Sequence, residues 1–176
     1  MDRRCFAESP NIVLIGMPGA GKTTLGKMLS KRLAKPFIDI DELIEQVAHK
    51  SIPSIFQEDG EKVFRRMERE AVASCRLIKN SVIATGGGTV IDDNNVEDLR
   101  ENGILFFIDS APNKIWSRPS LITRPLIGKS KENLLLIYRQ RRKVYMQVAD
   151  FVLDNNKGHL RRCLLRVNNI YRRLAR

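Results

Sequence analysis

Short apolar runs alternate with longer segments of helical periodicity along the chain. The apolar runs predict five strands, at 12–15, 36–40, 82–84, 104–108 and 151–153. The segments between them predict helices, the longer ones at 42–49, 61–79, 92–102 and 132–148. This alternation is typical of βαβ units built around a parallel sheet. Since no repeat or Gly/Ser-rich linker interrupts it, we expect a single α/β domain over residues 1–176.

A phosphate-binding pattern follows the first apolar run. Gly16, Gly21, Lys22 and Thr23 occupy the fixed positions of G-x-x-x-x-G-K-[ST], between a strand and a helical stripe. The N–H groups of such a loop form a concave anion site, to which the helix N-terminus adds its dipole. Lys22 can reach the β and γ phosphates, and the Thr23 hydroxyl can ligate Mg²⁺. The pattern predicts a nucleoside triphosphate site rather than a plain turn, and it leaves the acceptor open.

Two carboxylates follow the second predicted strand. Asp39 and Asp41 stand at its carboxyl end, where open α/β sheets bind ligands. On an extended chain they would point the same way, one toward a metal and one toward an acceptor hydroxyl. Asp41 can alternatively cap the helix at 42–49. Capping and catalysis are compatible, and we favour a functional role.

Further candidate residues lie on a helix and on a loop. Arg65 and Glu68 are i, i+3 neighbours, so the carboxylate can orient the guanidinium toward a planar anion, although an exposed ion pair is the commoner outcome. Three consecutive glycines, 86–88, follow the third strand, and their entropic cost makes sense if a ligand approaches the backbone closely. The segment 110–131, rich in Pro, Ser and basic residues, predicts a mobile lid.

Composition narrows the class of protein. The chain is 43% hydrophobic and 29% charged, and no apolar stretch reaches the length of a membrane span. The first ten residues lack the apolar region of a secretory signal, and three scattered cysteines indicate reduced thiols. We therefore expect a cytoplasmic protein with no membrane partner.

The net charge of +11 raises a nucleic-acid alternative. Residues 155–176 hold seven Lys or Arg and no acid, but their apolar positions predict a packed C-terminal helix at about 157–175 with a solvated basic face. No helix-turn-helix, RNP or KH signature is present in the sequence. We expect no nucleic-acid partner, and a salt-dependent shift with generic DNA would favour the alternative.

Taken in chain order, the motifs resemble those of the shikimate kinase family. They are GMPGAGKTT, FIDID, FRRME, GGG and RPL, followed by an arginine four residues before Tyr145, and they lie within 11–154. The resemblance implies the nucleoside monophosphate kinase type of fold. This is a three-layer α-β-α P-loop architecture with a five-stranded parallel sheet in the order 2-3-1-4-5 and a mobile lid. It also implies transfer of the γ-phosphoryl group of ATP to the 3-hydroxyl of shikimate, with Mg²⁺ as cofactor.

The same resemblance assigns roles to the nucleotide side of the site, position by position. Thr23 and Asp39 would hold Mg²⁺, and Asp41 would act as the base, with Lys22 and Arg124 as the other catalytic residues. The implied contacts to ATP are Gly16, Met17, Pro18, Gly19, Ala20, Gly21, Lys22, Thr23 and Thr24, with Arg118 and Arg124 from a lid at about 110–129.

On the acceptor side, the resemblance implies a pocket carried by helices at about 41–79. Arg65 and Arg141 would clamp the shikimate carboxylate, and Glu68 would orient Arg65. The full set of implied shikimate contacts is Asp41, Phe56, Phe64, Arg65, Glu68, Gly86, Gly87, Gly88 and Arg141. With shikimate and ATP as its small-molecule partners, we expect the chain to be a monomer.

Two departures from the family pattern and three competing functions stay open. Ser117 stands where the family usually has an adenine-stacking arginine, so Arg118 would have to take that role. Arg142 could replace Arg141, which we prefer on register. Another small-metabolite kinase, such as a gluconate kinase, would share the P-loop and the lid. A regulatory nucleotide-binding module and the nucleic-acid binder are the alternatives from other classes.

Overall fold

The computed structural model describes residues 9–117 and 130–174. Five parallel strands form one sheet in the order β2-β3-β1-β4-β5. Their bounds are β1 Asn11–Ile15, β2 Phe37–Asp39, β3 Val82–Ala84, β4 Gly103–Asp109 and β5 Phe151–Asp154. The predicted strands, their order and the edge position of β5 are therefore confirmed.

Helices connect the strands as the apolar periodicity predicts. In the described part of the chain they are α1 Lys22–Leu33, α2 Ile40–Ala48, α3 Ile52–Glu58, α4 Gly60–Ser74, α5 Asp93–Glu101, α6 Pro112–Trp116, α7 Lys131–Val148 and α8 Leu160–Leu174. The helix predicted over 61–79 is too long, because α4 ends at Ser74 and a 3₁₀ turn, Cys75–Leu77, follows it. The C-terminal helix likewise begins at Leu160 rather than at about 157.

The core lies on both faces of the inner strands β1 and β4. Every residue of β1 and of β4 is buried, as their unbroken apolar runs predict for strands covered on two sides. Helix α1 packs on β3 and α8, while α5 and α7 pack on β4. Within the described ranges, no helix is long and apolar enough to cross a bilayer.

Helix α8 is attached to the body by a buried stripe that includes Cys163, Val167 and Tyr171. The phenol oxygen of Tyr171 accepts a 2.7 Å hydrogen bond from Lys35 Nζ, which is itself buried. Leu174, the last apolar residue of the helix, is instead exposed. The basic residues of α8 lie on its other, solvated side, in agreement with the predicted amphipathic pattern.

Because all five strands are parallel, their carboxyl ends meet at one edge of the sheet. The P-loop follows β1, Asp39 ends β2 with Asp41 just after it, the glycines follow β3, and residues 109–110 and 154–155 lie at the ends of β4 and β5. Ligands of open α/β sheets bind at this edge. The fold therefore brings together segments that are up to 135 residues apart in the chain.

Candidate active site

The P-loop has the backbone that an anion site requires. Gly16, Gly19 and Gly21 adopt φ values of 142°, 76° and 105°, which residues with a Cβ rarely adopt. A Cβ on Gly16 would also lie 2.8 Å from the Ile108 carbonyl oxygen. The loop therefore needs glycine at its first position for space as well as for conformation.

Lys22 lies inside this loop. Its Nζ donates to the carbonyl oxygens of Gly16 and Met17 at 2.9 and 3.0 Å, and the residue is only 8% exposed. Helix α1 carries no acid of its own in its first turn, and the positive end of its dipole faces the loop. The loop presents an ammonium group and a helix N-terminus to the same small volume, which suits a phosphate chain.

Asp39 contacts both the P-loop helix and the start of α2. One carboxylate oxygen accepts a 2.7 Å hydrogen bond from Thr23 Oγ1, and the other accepts from the N–H of Asp41 as the N-cap of α2. Burial raises the pKa of this carboxyl, an effect that the Thr23 hydrogen bond opposes. Thr23 and Asp39 thus place a hydroxyl and a carboxylate oxygen side by side.

The predicted extended geometry at Asp41 is wrong, because α2 already begins at Ile40. Asp41 lies in the first helical turn, and its neighbour Asp39, not Asp41 itself, caps the helix. A Cβ on Gly86 would lie 2.8 Å from Asp41 Oδ1, so this carboxylate faces the glycine loop. Capping does not explain Asp41, and its position beside the loop favours the functional interpretation.

The three glycines are needed because side chains from three directions approach them. A Cβ on Gly87 would overlap the ring of Pro18, and one on Gly88 would lie 2.6 Å from Arg65 Nη1. At Gly86 the neighbours are the carboxylates of Asp41 and Glu68. Protein side chains therefore approach the three glycines closely, and the approach of a ligand stays a prediction.

Arg65 is held by two carboxylates that differ in burial. Its Nη1 lies 2.7 Å from Glu68, which is 2% exposed, and its Nη2 lies 3.1 Å from the exposed Glu61. Glu68 also accepts a 2.8 Å hydrogen bond from the Thr89 hydroxyl. Burial alone would lower the pKa of the Arg65 guanidinium, yet the two carboxylates together raise it. The Arg65–Glu68 ion pair is thus a partly buried element of the site rather than the exposed ion pair that its spacing more commonly indicates.

Helix α7 presents two arginines to different partners. Arg141 Nη1 donates to the Gly87 carbonyl oxygen at 3.2 Å. Arg142 donates through Nε and Nη2 to Asp109 at 3.0 and 2.8 Å, and Tyr138 donates to the other oxygen of that carboxylate. The register preference for Arg141 is therefore consistent with the geometry, because Arg142 is occupied at the end of β4.

Aromatic rings from α3 and α4 lie next to these polar groups. The centroids of Phe56 and Phe64 are 4.7 Å apart, and the Arg65 guanidinium lies 5.3 Å from the centre of the Phe64 ring. Arg118 and Arg124 lie outside the described residues, so their proposed contacts stay predictions.

Four residues of the site are not predicted from the sequence. Tyr145, whose phenol donates to the Gly87 carbonyl oxygen, resembles an ordinary core tyrosine, and its burial raises the pKa of the phenol. Thr89 directly follows the glycines, and that adjacency could have drawn attention to it. Ser110 and Asn155 carry no motif, and only the fold places them against the P-loop.

Comparison with known proteins identifies relatives of this chain. The family model described as shikimate kinase matches residues 18–170. The chain belongs to the shikimate kinase family. A shikimate kinase of Clostridium botulinum (strain Alaska E43 / Type E3) is 41% identical over 145 residues, which are 82% of this chain and 87% of that protein. One of Marinomonas sp. (strain MWYL1) is 37% identical over 161 residues, 88% of this chain and 87% of that protein.

Solved shikimate kinases share the fold. A shikimate kinase from Acinetobacter baumannii in complex with shikimate has a TM-score of 0.87 at 32% identity, covering 92% of this chain and 92% of that one. The shikimate kinase of Aquifex aeolicus has a TM-score of 0.76 at 31% identity and covers 90% of this chain and 96% of that one. The family and the architecture expected from the sequence motifs are therefore confirmed.

Proposed function

We propose that this member of the shikimate kinase family transfers the γ-phosphoryl group of ATP to the 3-hydroxyl of shikimate, producing ADP and 3-phosphoshikimate. The observation that carries the proposal is convergence on one loop. Asp41, Arg65 and Arg141 all approach Gly86–Gly88, and Pro18 of the P-loop packs on Gly87. A carboxylate and two guanidinium groups are therefore held next to the phosphate site.

The phosphate side supplies positive charge. Lys22 and the N–H groups of the P-loop would bind the β and γ phosphates, and the loop Gly16–Thr24 would surround the triphosphate of ATP. Phosphoryl transfer spreads charge over the equatorial oxygens, so positioned cations stabilise the transition state more than the ground state. We assign the same role to Arg124 and propose that Arg118 contacts the adenine, both from the predicted lid.

The neighbouring oxygens fit a magnesium ion. Thr23 and Asp39 supply a hydroxyl and a carboxylate oxygen 2.7 Å apart, and Mg²⁺ is commonly bound by one or two such groups together with substrate phosphates. Within the described ranges, no three His, Cys, Asp or Glu residues form a metal cluster, so nucleotide phosphates would complete the ligand set. When bound there, Mg²⁺ would neutralise charge on the β and γ oxygens.

The acceptor side fits a small carboxylic acid with hydroxyl groups. Arg65, whose fork Glu68 holds in place, and Arg141 would clamp the carboxylate, since charge-assisted bonds to two guanidinium groups fix a ligand's orientation. Phe56 and Phe64 would wall the pocket. Asp41 would accept or orient the proton of the attacking hydroxyl, and little further covalent chemistry is needed because positioning dominates.

The test is a coupled assay for ADP release with ATP and Mg²⁺, comparing shikimate, gluconate and no acceptor. We expect release to require shikimate and Asp41→Asn to lower kcat by about 10²–10⁴. The matched control is Glu42→Gln, which removes the adjacent carboxylate of α2, an exposed group paired with Lys27. Its kcat should stay within about twofold of the wild type, because exposed ion pairs contribute little.

Other outcomes would favour other functions. Turnover with gluconate alone would support a different metabolite kinase. ATP binding without turnover of either acceptor would support a regulatory module. We further propose that the chain acts as a monomer in the cytoplasm without a nucleic-acid partner, and light scattering of the purified protein with and without DNA tests the first and last points.

A further inference from the structure

The carbonyl oxygen of Ala20 in the P-loop accepts hydrogen bonds from two side chains outside the loop. Ser110 Oγ donates to it at 3.2 Å and Asn155 Nδ2 at 3.1 Å. The second hydrogen of the Asn155 amide goes to Ser110 Oγ, also at 3.1 Å. All three residues are nearly inaccessible, with exposed fractions of 0%, 2% and 1%. They form a closed triangle between the P-loop and the ends of β4 and β5.

This triangle determines how one peptide unit of the loop is turned. The carbonyl of Ala20 and the N–H of Gly21 belong to the same planar trans peptide, so they point to opposite sides. Drawing the carbonyl toward Ser110 and Asn155 therefore turns the Gly21 N–H away from them. Gly21, at φ 105°, is the N-cap of α1, where N–H groups bind anions.

We propose that Asn155, together with Ser110, is a positioning residue that orients the Ala20–Gly21 peptide so that the Gly21 N–H faces the triphosphate. Asn155 does this without touching the nucleotide itself. The inference rests on the proposed binding of ATP at the P-loop and adds a residue that no motif contains. It also links the loop to the segment after β4, where the predicted lid begins.

Two further observations support a role beyond packing. The Asn155 backbone N–H donates to the Asp109 carbonyl oxygen at 2.8 Å, so the residue is fixed at both ends. Its Oδ1 is buried and finds no hydrogen-bond partner among the described residues. Burying an unpaired amide oxygen is unfavourable, and an apolar residue of the same size would avoid it. An amide side chain at position 155 is therefore explained by the two hydrogen bonds that its NH₂ group donates, one of them to the Ala20 carbonyl oxygen.

The experiment compares Asn155→Leu with the wild type by titration calorimetry, using ADP, inorganic tripolyphosphate and shikimate as separate ligands. Tripolyphosphate has no adenine, so it reports on the phosphate loop alone. We expect its Kd and that of ADP to rise by the same factor, roughly tenfold for one lost N–H contact to a charged ligand. The Kd of shikimate should change by less than about twofold.

Asn168→Leu is the matched control. Asn168 is another buried asparagine whose Oδ1 has no partner among the described residues, and it lies on α8. It should leave all three Kd values near those of the wild type. Since Asn155→Leu is the harsher change, Ser110→Ala provides a milder second variant with the same expected pattern. Ser110→Thr keeps the hydroxyl, so its Kd for tripolyphosphate should stay near that of the wild type, unlike that of Ser110→Ala.

The outcomes are distinguishable. A loss of ADP affinity with unchanged tripolyphosphate binding in Asn155→Leu and Ser110→Ala would overturn the proposal, because these residues would then affect the binding of adenine and not of the phosphates. Equal losses in Asn168→Leu would overturn it as well, since the effect would be general destabilisation. If wild-type chain bound both phosphate ligands yet released no ADP with shikimate, the proposed function would fail while this inference could still be supported.

Discussion

The two carboxylates that contact Arg65 allow a direct test of whether burial determines how much each contributes to shikimate binding. Glu68 and Glu61 contact the same guanidinium at 2.7 and 3.1 Å, but their side chains are 2% and 53% exposed. We consider Glu68→Gln and Glu61→Gln, which remove one charge each and keep the shape. The expected result is a large increase in KM for shikimate from the first change and a small one from the second.

The magnitude follows from the hydrogen bonds. The amide that Glu68→Gln introduces can still accept from Arg65 through its oxygen and donate to the Thr89 oxygen, so both contacts can be kept, the second with its direction reversed, while the charge is lost. Charge-assisted hydrogen bonds contribute about 1.5–3 kcal/mol and neutral ones about 0.5–1.5, a difference of roughly 1–1.5 kcal/mol. Since the ligand must then order the Arg65 fork itself, KM should rise about tenfold. The exposed Glu61 pair contributes about 0.2–1 kcal/mol, so its loss should raise KM by about twofold.

Steady-state kinetics with shikimate varied at saturating ATP, and then the reverse, measure both variants. KM for ATP should be unchanged in each, because Arg65 faces the glycine loop and not Lys22. Comparable effects of Glu68→Gln and Glu61→Gln on KM for shikimate would refute the reasoning from burial. An effect of Glu68→Gln confined to ATP would refute the assignment of Arg65 to the acceptor.

Three further predictions concern the glycine loop and α7. Arg141→Lys should raise KM for shikimate about tenfold in steady-state assays, because the lysine cannot reproduce the guanidinium fork. Arg142→Lys, one residue along the same helix, should leave KM unchanged and lower the melting temperature by about 2–4 °C, since it weakens the paired bonds to buried Asp109; equal KM values for the two variants would show that the register is wrong. Gly87→Ala should reduce kcat/KM for both substrates by about 10² or more, because the added Cβ would overlap the ring of Pro18 and displace the P-loop. A Gly87→Ala variant with wild-type kinetics for ATP would contradict that contact.

Local sequence was sufficient to predict backbone conformation where a short segment contains residues with a strong conformational preference. The P-loop glycines adopt the positive φ values that their pattern implies, and Ser51 caps α3 as a serine before a proline-containing first turn should. The limits of α4 could not be read in the same way, because the helical pattern continues past Ser74, where the structure changes to a 3₁₀ turn. The start of α2 is misplaced for a related reason: Asp39 is as good a cap as Asp41, and sequence alone does not choose between them.

The sequence by itself determined the alternation of strands and helices, the phosphate loop and, through its motifs, the family. Only the tertiary structure decided which polar residues are buried together. An i, i+3 pair such as Arg65 and Glu68 is usually exposed, and it becomes a rigid clamp here because Thr89 and the glycine loop cover the carboxylate. Asn155 reaches Ala20 across 135 residues of chain. The i, i+3 spacing indicates the first contact but not its burial, and the second contact has no local signal. The strength of a hydrogen bond or ion pair depends on the exclusion of water, which distant segments of the fold provide.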